Sequence, residues 1–498
     1  MIYQNPVIRG FCPDPSVCRA NGRYYLVASS FHYFPGVPLF ESEDLLNWKQ
    51  IGYCLTRESQ LPLGNAYSSG GIYAPTIRYN GGRFYMVTTN TTGGGNFYVY
   101  TDDIYGRWSD PVFVEQGGID PSLYFEDGKA YFMSNGEDTS GRPAILQCMI
   151  DISTGGRLTE STAVWGGSGG RYLESPHLYK IGGSYYLMAA EGGTEYGHMV
   201  TYARGEGIYG PFIPYRGNPV LTNRDLGGYI VQGVGHADLF EDYYGNWWML
   251  HLGFRQIGRW LPFHHLGREV FLTPVSFDND GWFTAGVNGT AACEVETDRF
   301  PGSVTQNTVK AYTFENTSRA VDWRFIRAFD AGLYEFGKDF LNIMSSAYTL
   351  DDDKGIPAFA GLPQKEFDME LSVAVKMGGG EAGVTVYMDE NHHYDLAARR
   401  DGNGCEVLLR LNVGDIRHIQ NRVFTDSCCP VLRVTADALR YYFYCGDVFL
   451  GTAQTRYLSS EVACGFTGVF IGLYSQNGGD INEFRDFSLV YHQPSTTV

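Results

Sequence analysis

The sequence predicts an all-β protein in which a five-bladed β-propeller is followed by a β-sandwich. One short aromatic pattern recurs five times in the first 295 residues, and strands with one apolar face follow in the last third of the chain. The composition agrees, because 15% of the 498 residues are aromatic and 63 are glycine. Aromatic residues favour strands, and glycine favours the turns that join them.

The propeller prediction rests on five copies of one hairpin strand. Each copy begins with a glycine turn and continues with paired aromatic or apolar residues. The copies are Gly22-Arg-Tyr-Tyr-Leu-Val, Gly82-Arg-Phe-Tyr-Met-Val, Gly128-Lys-Ala-Tyr-Phe-Met, Gly183-Ser-Tyr-Tyr-Leu-Met and Gly245-Asn-Trp-Trp-Met-Leu. They recur about every fifty residues, a spacing that fits four-stranded propeller blades.

A turn of small or acidic residues precedes each copy. Eleven residues before the second ring of each copy lie Asp14, Ala74, Pro121, Ser175 and Ala237. We expect each of these turns to open the innermost strand of a blade, with the start of that strand facing the central channel. The propeller is predicted to span residues 1–295.

The second domain is predicted from strand patterns after the repeat ends. Residues 296–311 are rich in polar and small residues and are predicted to form a linker. Residues 367–377 then alternate between an apolar and a polar face, which predicts a strand with one buried side. Similar runs lie at 405–413, 430–437 and 485–491. They predict an antiparallel β-sandwich over residues 312–498.

The net charge and the cysteine pattern indicate which binding partners and which cellular compartment to expect. With 37 Lys and Arg against 55 Asp and Glu, the net charge of −18 would repel nucleic acid and anionic lipid, so neither is an expected partner. The N-terminus MIYQNPVIRGF lacks the regions of a signal peptide, and no apolar run is long enough to span a membrane. The ten cysteines have no C-x-x-C spacing, which indicates reduced thiols. We therefore expect a cytoplasmic protein, with a removed signal peptide left open.

Three acidic residues fall at nearly equivalent positions of different blades. Asp14, Asp120 and Glu174 belong to blades one, three and four, and equivalent positions of a propeller converge around one axis. Asp-Pro-Ser is also ordinary turn chemistry, since Asp caps turns and Pro fixes φ. Three acids in one register nevertheless favour a functional cluster, because perturbed carboxylates gather at functional sites.

Clustered carboxyl groups have two common uses. Two carboxyl groups that flank a glycosidic bond can hydrolyse it, one by protonating the leaving oxygen and the other by activating water or attacking the sugar. A third acid can raise the pKa of the proton donor and hold its orientation. Clustered acids can also bind calcium, but the sequence has neither an EF-hand loop nor an H-E-x-x-H motif.

Six ordered motifs resemble glycoside hydrolase family 43, most closely its two-domain β-xylosidases and α-L-arabinofuranosidases. The motifs are Asn5-Pro-Val-Ile-Arg-Gly-Phe-Cys-Pro-Asp-Pro-Ser16, Gly71-Ile-Tyr-Ala-Pro-Thr76, Gly118-Ile-Asp-Pro-Ser122, Glu174-Ser-Pro-His177, Gly235-His-Ala-Asp-Leu239 and Gly267-Arg-Glu269. The resemblance extends over nearly the whole chain. It implies a lectin-like jelly roll for the second domain.

The resemblance also implies roles for the three acids. Asp14 is expected to be the general base, Glu174 the general acid, and Asp120 the residue that tunes the pKa of the acid and orients it. The family inverts the anomeric configuration in a single displacement. The pKa of Glu174 should therefore lie well above the ~4.3 of a free glutamate. Asp14 and Glu174 should be roughly 6.5–9.5 Å apart, which leaves room for a water molecule.

Five further residues are implied to bind the substrate. Arg268 matches an arginine that pairs with a carboxylate or donates to sugar hydroxyls, and His236 matches a histidine that faces the channel. Phe31 matches a phenylalanine that contacts the sugar, while Tyr73 stands where close relatives often carry Trp or Phe. Phe466 matches an aromatic residue that reaches from the second domain into the pocket. Exposed-strand or core roles are the alternatives for these side chains.

The expected function is that of an exo-acting, inverting glycosidase. It would release xylose from the non-reducing end of β-1,4-xylo-oligosaccharides, with α-L-arabinofuranosidase activity as the alternative. A non-catalytic lectin would not require three acids, and a fructan hydrolase of this fold would open on Asn-Asp-Pro where this chain has Cys12-Pro13-Asp14. The partner is thus a small oligosaccharide. No cofactor is expected, and a structural calcium ion and a homo-oligomer are left open.

Overall fold

The computed structural model describes residues 1–302, 304–307 and 311–492. Residue 303 and residues 308–310 of the predicted linker, and residues 493–498 of the predicted sandwich, lie outside the described residues. The linker is bordered by the strand Glu294–Glu296, which pairs with Ile2–Gln4, and by the strand Tyr312–Thr313. The predicted domain boundaries stay a prediction.

Five four-stranded antiparallel sheets follow one another along the first part of the chain, and each is one blade. Blade one comprises Ser16–Ala20, Arg23–Val27, Gly36–Ser42 and Lys49–Leu55. Blade two comprises Thr76–Asn80, Arg83–Asn90, Gly95–Thr101 and Val112–Phe113. Blade three comprises Ser122–Glu126, Lys129–Glu137, Pro143–Ile150 and Thr162–Trp165. Blade four comprises Glu174–Ile181, Ser184–Glu191, Met199–Gly205 and Ile213–Pro214. Blade five comprises Val231–Glu241, Trp247–Arg255, Glu269–Phe277 and Phe283–Ala285.

The first strand of each blade contacts the first strand of the next, and the first strand of blade five contacts that of blade one. This closed ring places the five first strands around the central channel and confirms the predicted five-bladed propeller. In blades one to four a two-residue turn joins the first two strands. The turn residues are Asn21-Gly22, Gly81-Gly82, Asp127-Gly128 and Gly182-Gly183, and all have positive φ. Turns of this type match the twist of a hairpin, which explains the glycine at the head of the first four repeats.

Two antiparallel sheets form the second domain. The first comprises Tyr334–Phe336, Phe340–Met344, Ile481–Tyr491, Met369–Lys376, Val431–Ala436, Arg440–Cys445 and Val448–Gln454, with Tyr312–Thr313 also paired to Ile481–Tyr491. The second comprises Ala358–Pro363, Phe470–Gln476, Glu381–Asp389, His392–Asp401, Gly404–Val413 and Ile416–Thr425. Buried side chains of both sheets form one hydrophobic core, which confirms the predicted sandwich. A short 3₁₀ helix, Thr455–Leu458, and a short α-helix, Ser460–Ala463, lie between Val448–Gln454 and Phe470–Gln476.

The second sheet of the sandwich packs against blade one. A two-stranded ribbon of Tyr33–Phe34 with Phe325–Ile326 connects the two domains. Beside it, buried rings from both domains form one apolar cluster that includes Phe11, Phe31 and Phe470. Burial of each such ring contributes about 1.5–3 kcal/mol to the hydrophobic stabilisation of the interface.

A buried ion network also crosses the domain interface. Arg255 of blade five donates two hydrogen bonds to Glu269, at 2.8 and 2.9 Å, and one of 2.7 Å to Glu366 of the sandwich. Arg9 pairs with the same Glu366. The side chains of Arg255, Glu269 and Glu366 are at most 6% exposed. Because Glu269 directly follows Arg268, this network anchors the strand start on which Arg268 lies.

All ten cysteines lie within the described residues, and each is a free thiol. Over the part of the chain that the structure describes, no helix has both the length and the apolar character needed to cross a membrane.

Candidate active site

The inner strands of four of the five blades share one backbone position with a conformation that few non-glycine residues adopt. Asp14, Asp120, Ser175 and His236 occupy the same position of blades one, three, four and five, and their φ angles lie between 46° and 57°. A left-handed backbone costs about 1–2 kcal/mol for a residue other than glycine, and residues strained in this way are concentrated at functional sites. The structurally equivalent residue of blade four is therefore Ser175, and Glu174 comes one residue before it. A register shift between Glu174 and His177 accompanies this offset.

Asp14 is a buried carboxylate with strong donors. Its Oδ2 accepts a hydrogen bond of 2.5 Å from Ser29, and its Oδ1 accepts one of 2.8 Å from Arg268. Burial alone would raise the pKa of Asp14, but the positive charge of Arg268, with help from His236 and Ser29, lowers it below its usual value. Asp14 is thus held in its ionised form.

His236 lies between two of the acids. Its Nδ1 is 3.8 Å from Oδ1 of Asp14 and 3.7 Å from Oδ2 of Asp120. Burial and the nearby charge of Arg268 lower the pKa of His236, against the opposing effect of Asp14. Asp120 is buried too, and burial together with the charges of Glu174 and Asp14 raises its pKa well above the usual range.

Glu174 lies partly exposed on the wall of a cavity. The surrounding protein raises its pKa to about 7, first through desolvation and then through the charge of Asp14, while Arg268 acts in the opposite direction. Asp14 is thus the charged neighbour that raises the pKa of Glu174, and the role expected of Asp120 stays a prediction. Of the three carboxyl groups, Asp14 carries the charge, and Glu174 keeps its proton up to about neutral pH.

Arg268 connects the acids to the second domain. Its Nη1 donates to Asp14 and also, at 2.9 Å, to Oγ1 of Thr194. Its Nη2 donates to the carbonyl of Phe466 in the sandwich at 3.0 Å. Arg268 is 5% exposed, so its charge acts at short range in a poorly solvated environment.

The predicted aromatic residues gather beside this arginine. The rings of Phe31 and Tyr73 are 5.2 Å apart, and Phe466 stacks on Phe31 at 6.0 Å. The guanidinium of Arg268 lies 5.5 Å from the ring of Phe31 and 5.9 Å from that of Phe466. Phe31 is only 2% exposed, whereas Phe466 is 40% exposed. The structure thus brings together all eight residues that the sequence singled out.

A cavity of about 480 Å³ opens onto Glu174 and Arg268. Residues of blade four and of the sandwich form its walls. Blade four contributes Tyr172, Glu174, Gly193, Thr194, Glu195 and Tyr196, and the sandwich contributes Ser460, Glu461, Cys464, Gly465, Phe466 and Thr467. This volume is in the range of pockets that hold small ligands.

Some residues of the site were not predicted from the sequence. Glu461 of the sandwich accepts hydrogen bonds from Tyr196 at 2.7 Å and from the backbone N–H of His264 at 3.1 Å, and its Oε1 is 2.8 Å from Nδ1 of His264. These contacts fasten the segment that carries Phe466 to blades four and five. Thr194, which accepts from Arg268, was also missed, and its Gly-Gly-Thr context was the one local signal available.

A second buried network supports the inner strands behind the site. Asp238 accepts hydrogen bonds from Ser16 at 2.6 Å, Tyr179 at 2.6 Å and Arg78 at 2.8 Å. These residues come from blades one, two, four and five, so Asp238 joins the inner strands around the channel. Burial opposes its charge, but Arg78 holds the pKa of Asp238 well below the usual range.

Comparisons with known proteins agree with this geometry. The family described as Glycosyl hydrolases family 43 matches residues 3–283, and the Beta xylosidase C-terminal Concanavalin A-like domain matches residues 311–490. The chain belongs to glycosyl hydrolases family 43. This family 43 glycosidase is 38% identical to a non-reducing end α-L-arabinofuranosidase of Bacteroides ovatus, over 96% of this chain and 92% of the relative.

Two further relatives of this family 43 enzyme span almost its full length. A xylosidase/arabinosidase of Butyrivibrio fibrisolvens is 35% identical and aligns over 98% of both chains. The crystal structure of a xylan β-1,4-xylosidase from Bacillus halodurans superposes with a TM-score of 0.89 at 26% identity, covering 98% of this chain and 99% of the other. The family match therefore excludes the alternatives of a non-catalytic lectin and a fructan hydrolase.

The residues around the channel do not form a direct metal site. Among the described residues, no group of three or more His, Cys, Asp or Glu side chains is arranged to hold a metal ion.

Proposed function

We propose that this family 43 enzyme is an exo-acting, inverting β-xylosidase that releases xylose from the non-reducing end of short β-1,4-xylo-oligosaccharides. The observation that carries the proposal is the opposite tuning of two carboxyl groups that both interact with Arg268, with Glu174 on the wall of the cavity. The pKa of Asp14 is lowered, whereas the pKa of Glu174 is raised to about 7. One group is suited to accept a proton and the other to donate one.

Both carboxyl groups act in the same step. Asp14 accepts a proton from a water molecule as the water oxygen attacks the anomeric carbon. Glu174 gives its proton to the glycosidic oxygen as the bond to the anomeric carbon breaks. The attack comes from the face opposite the leaving group, so the configuration inverts, and a separation of roughly 6.5–9.5 Å between the two carboxyl groups would admit the water.

Asp120 is proposed to orient Glu174 and to modulate its pKa. The charge of Glu174 raises the pKa of Asp120, so the two carboxyl groups interact at short range. This interaction disfavours the state in which both groups are ionised, which limits the charge that builds up in the cavity after each proton transfer.

The remaining predicted residues are proposed to bind the sugar at the bottom of the cavity. Arg268 and His236 present donors next to Asp14, where sugar hydroxyls would lie. Phe31 is buried against Tyr73 and Phe466, whose rings are partly exposed and suited to the apolar face of a pyranose ring. Removal of single terminal sugars is supported by the sandwich segment around Phe466, which walls one side of the cavity.

α-L-Arabinofuranosidase activity is the second candidate. A relative that is 38% identical over 96% of this chain carries that name, and another is named for both activities. Xylopyranose and arabinofuranose present similar hydroxyl positions, so one pocket can accept both. We further propose a cytoplasmic location, since ten free thiols suit a reducing compartment, and an enzyme that needs no cofactor.

The test is side-by-side turnover of 4-nitrophenyl β-D-xyloside and 4-nitrophenyl α-L-arabinofuranoside by the purified chain, with the Asp14→Ala variant as the control for contaminating activity. We expect the larger kcat/KM for the xyloside, and stepwise release of xylose from xylotriose. A larger kcat/KM for the arabinofuranoside would favour the second candidate. No turnover of either substrate would refute the proposal.

A further inference from the structure

Tyr172 is an aromatic residue that the site described above does not use. It lies two residues before Glu174, lines the same cavity, and is 63% exposed. Its backbone has a φ of 53°, the left-handed region that bulky residues rarely adopt. An exposed ring gains little from packing in the core, so this backbone cost points to a role in binding.

Neighbouring residues hold the Tyr172 ring in place. Gly193 lies directly against it, and a Cβ atom on Gly193 would come within 2.9 Å of the ring. The guanidinium of Arg171 lies 5.3 Å from the ring centroid. Arg171 is fixed in turn by an ion pair with Glu195 and by a hydrogen bond of 3.0 Å to the carbonyl of Gly192. These contacts favour one orientation of the ring before any ligand binds, which lowers the entropy cost of stacking.

The position of Glu174 indicates which part of the substrate would contact the Tyr172 ring. Glu174 protonates the oxygen of the leaving group, so the leaving group lies on the side of Glu174 that is open to solvent. Asp14 and His236 are no more than 5% exposed and belong to the closed end of the site. Tyr172 lies at the open end and lines the cavity together with Gly465 of the sandwich.

We propose that Tyr172 is a specificity-determining residue whose ring stacks on the sugar of the leaving group. The inference rests on the proposed function, because it takes Glu174 as the proton donor. The Tyr172 ring gives the enzyme a preference for substrates whose leaving group is itself a sugar ring. A leaving group without a ring gains nothing from it.

The test compares two substrates that share the xylosyl group. 1,4-β-Xylobiose has a sugar as its leaving group, whereas β-D-xylopyranosyl fluoride has only a fluoride ion. We expect Tyr172→Ala to lower the ratio of the two kcat/KM values, xylobiose to fluoride, about tenfold, the size of a lost aromatic stacking contact. Tyr172→Phe keeps the ring and should keep the ratio.

Tyr244 offers a matched control. It is 67% exposed and lies in the turn between the first two strands of blade five. Tyr244→Ala should leave both kcat/KM values unchanged.

Each outcome distinguishes the role of Tyr172 from the proposed function. Equal losses on both substrates in Tyr172→Ala would refute the inference, because the ring would then act on the bound xylosyl group or on the fold. An unchanged ratio with normal activity would refute it while the proposed function stands. If the wild-type chain hydrolyses neither substrate, the proposed function is wrong and this inference is wrong with it.

Discussion

Removal of the Arg268 charge should shift the pH range in which the enzyme works. Burial raises the pKa of Asp14, and Arg268, 2.8 Å from its Oδ1, is the first of the groups that lower it. A neighbouring arginine lowers a carboxyl pKa by about one to three units, equivalent to about 1.4–4 kcal/mol. In Arg268→Met the pKa of Asp14 should therefore rise by about that amount. Because the base must be ionised, the acidic limb of the pH profile moves to higher pH.

The alkaline limb should move in the same direction. Arg268 also lowers the pKa of Glu174, which is about 7 in the wild type. The alkaline limb, which loss of the Glu174 proton sets, should therefore move to higher pH when the charge is removed. The assay is kcat/KM for 4-nitrophenyl β-D-xyloside measured across the acidic and neutral range. Arg268→Lys retains a charge and should shift the limbs less. Limbs of Arg268→Met that coincide with those of the wild type would refute the electrostatic argument, whatever the loss in rate.

The other predictions concern the two carboxyl groups and the domain interface. Glu174→Ala should lose about 10²–10⁴-fold in kcat on xylobiose but far less on xylosyl fluoride, which needs no protonation, whereas Asp14→Ala should lose activity on both. Equal losses on both substrates in Glu174→Ala would contradict its role as the acid. Arg255→Met leaves the buried Glu269 without its arginine and Glu366 with Arg9 as its partner, and it should destabilise the protein by about 3–5 kcal/mol, measured as a fall in the urea midpoint. Arg142→Met, which breaks an exposed pair, should leave the midpoint nearly unchanged.

The propeller could be predicted because its repeat is local. A glycine turn with positive φ followed by paired aromatic residues fixes each hairpin within a few residues. The same register located Asp14 and Ser175 at equivalent positions of their blades, which puts Glu174 one residue before that position. In blades three and five it fell on Pro121 and Ala237, one residue after Asp120 and His236, because the strand pairing that defines equivalent positions cannot be read from the ring spacing alone.

The contacts between the domains could not be predicted in this way. Glu461, Tyr196 and His264 lie on three separate segments and meet only when the sandwich docks on the propeller. Neither charge nor spacing marks them in the sequence. The effect of Asp14 on the pKa of Glu174 could not be predicted from the sequence either. It depends on distances around the channel and on which of the three acids keeps its proton.

The anomeric configuration of the first-formed product tests the central claim most directly. If Asp14 activates water while Glu174 protonates the leaving oxygen, hydrolysis of a β-xyloside must yield α-xylose before mutarotation. Proton NMR recorded during the first minutes of turnover should show the α-anomer signal rising ahead of the β-anomer signal. A β-anomer signal that rises first would mean that a carboxylate attacks the sugar itself, and it would contradict the account.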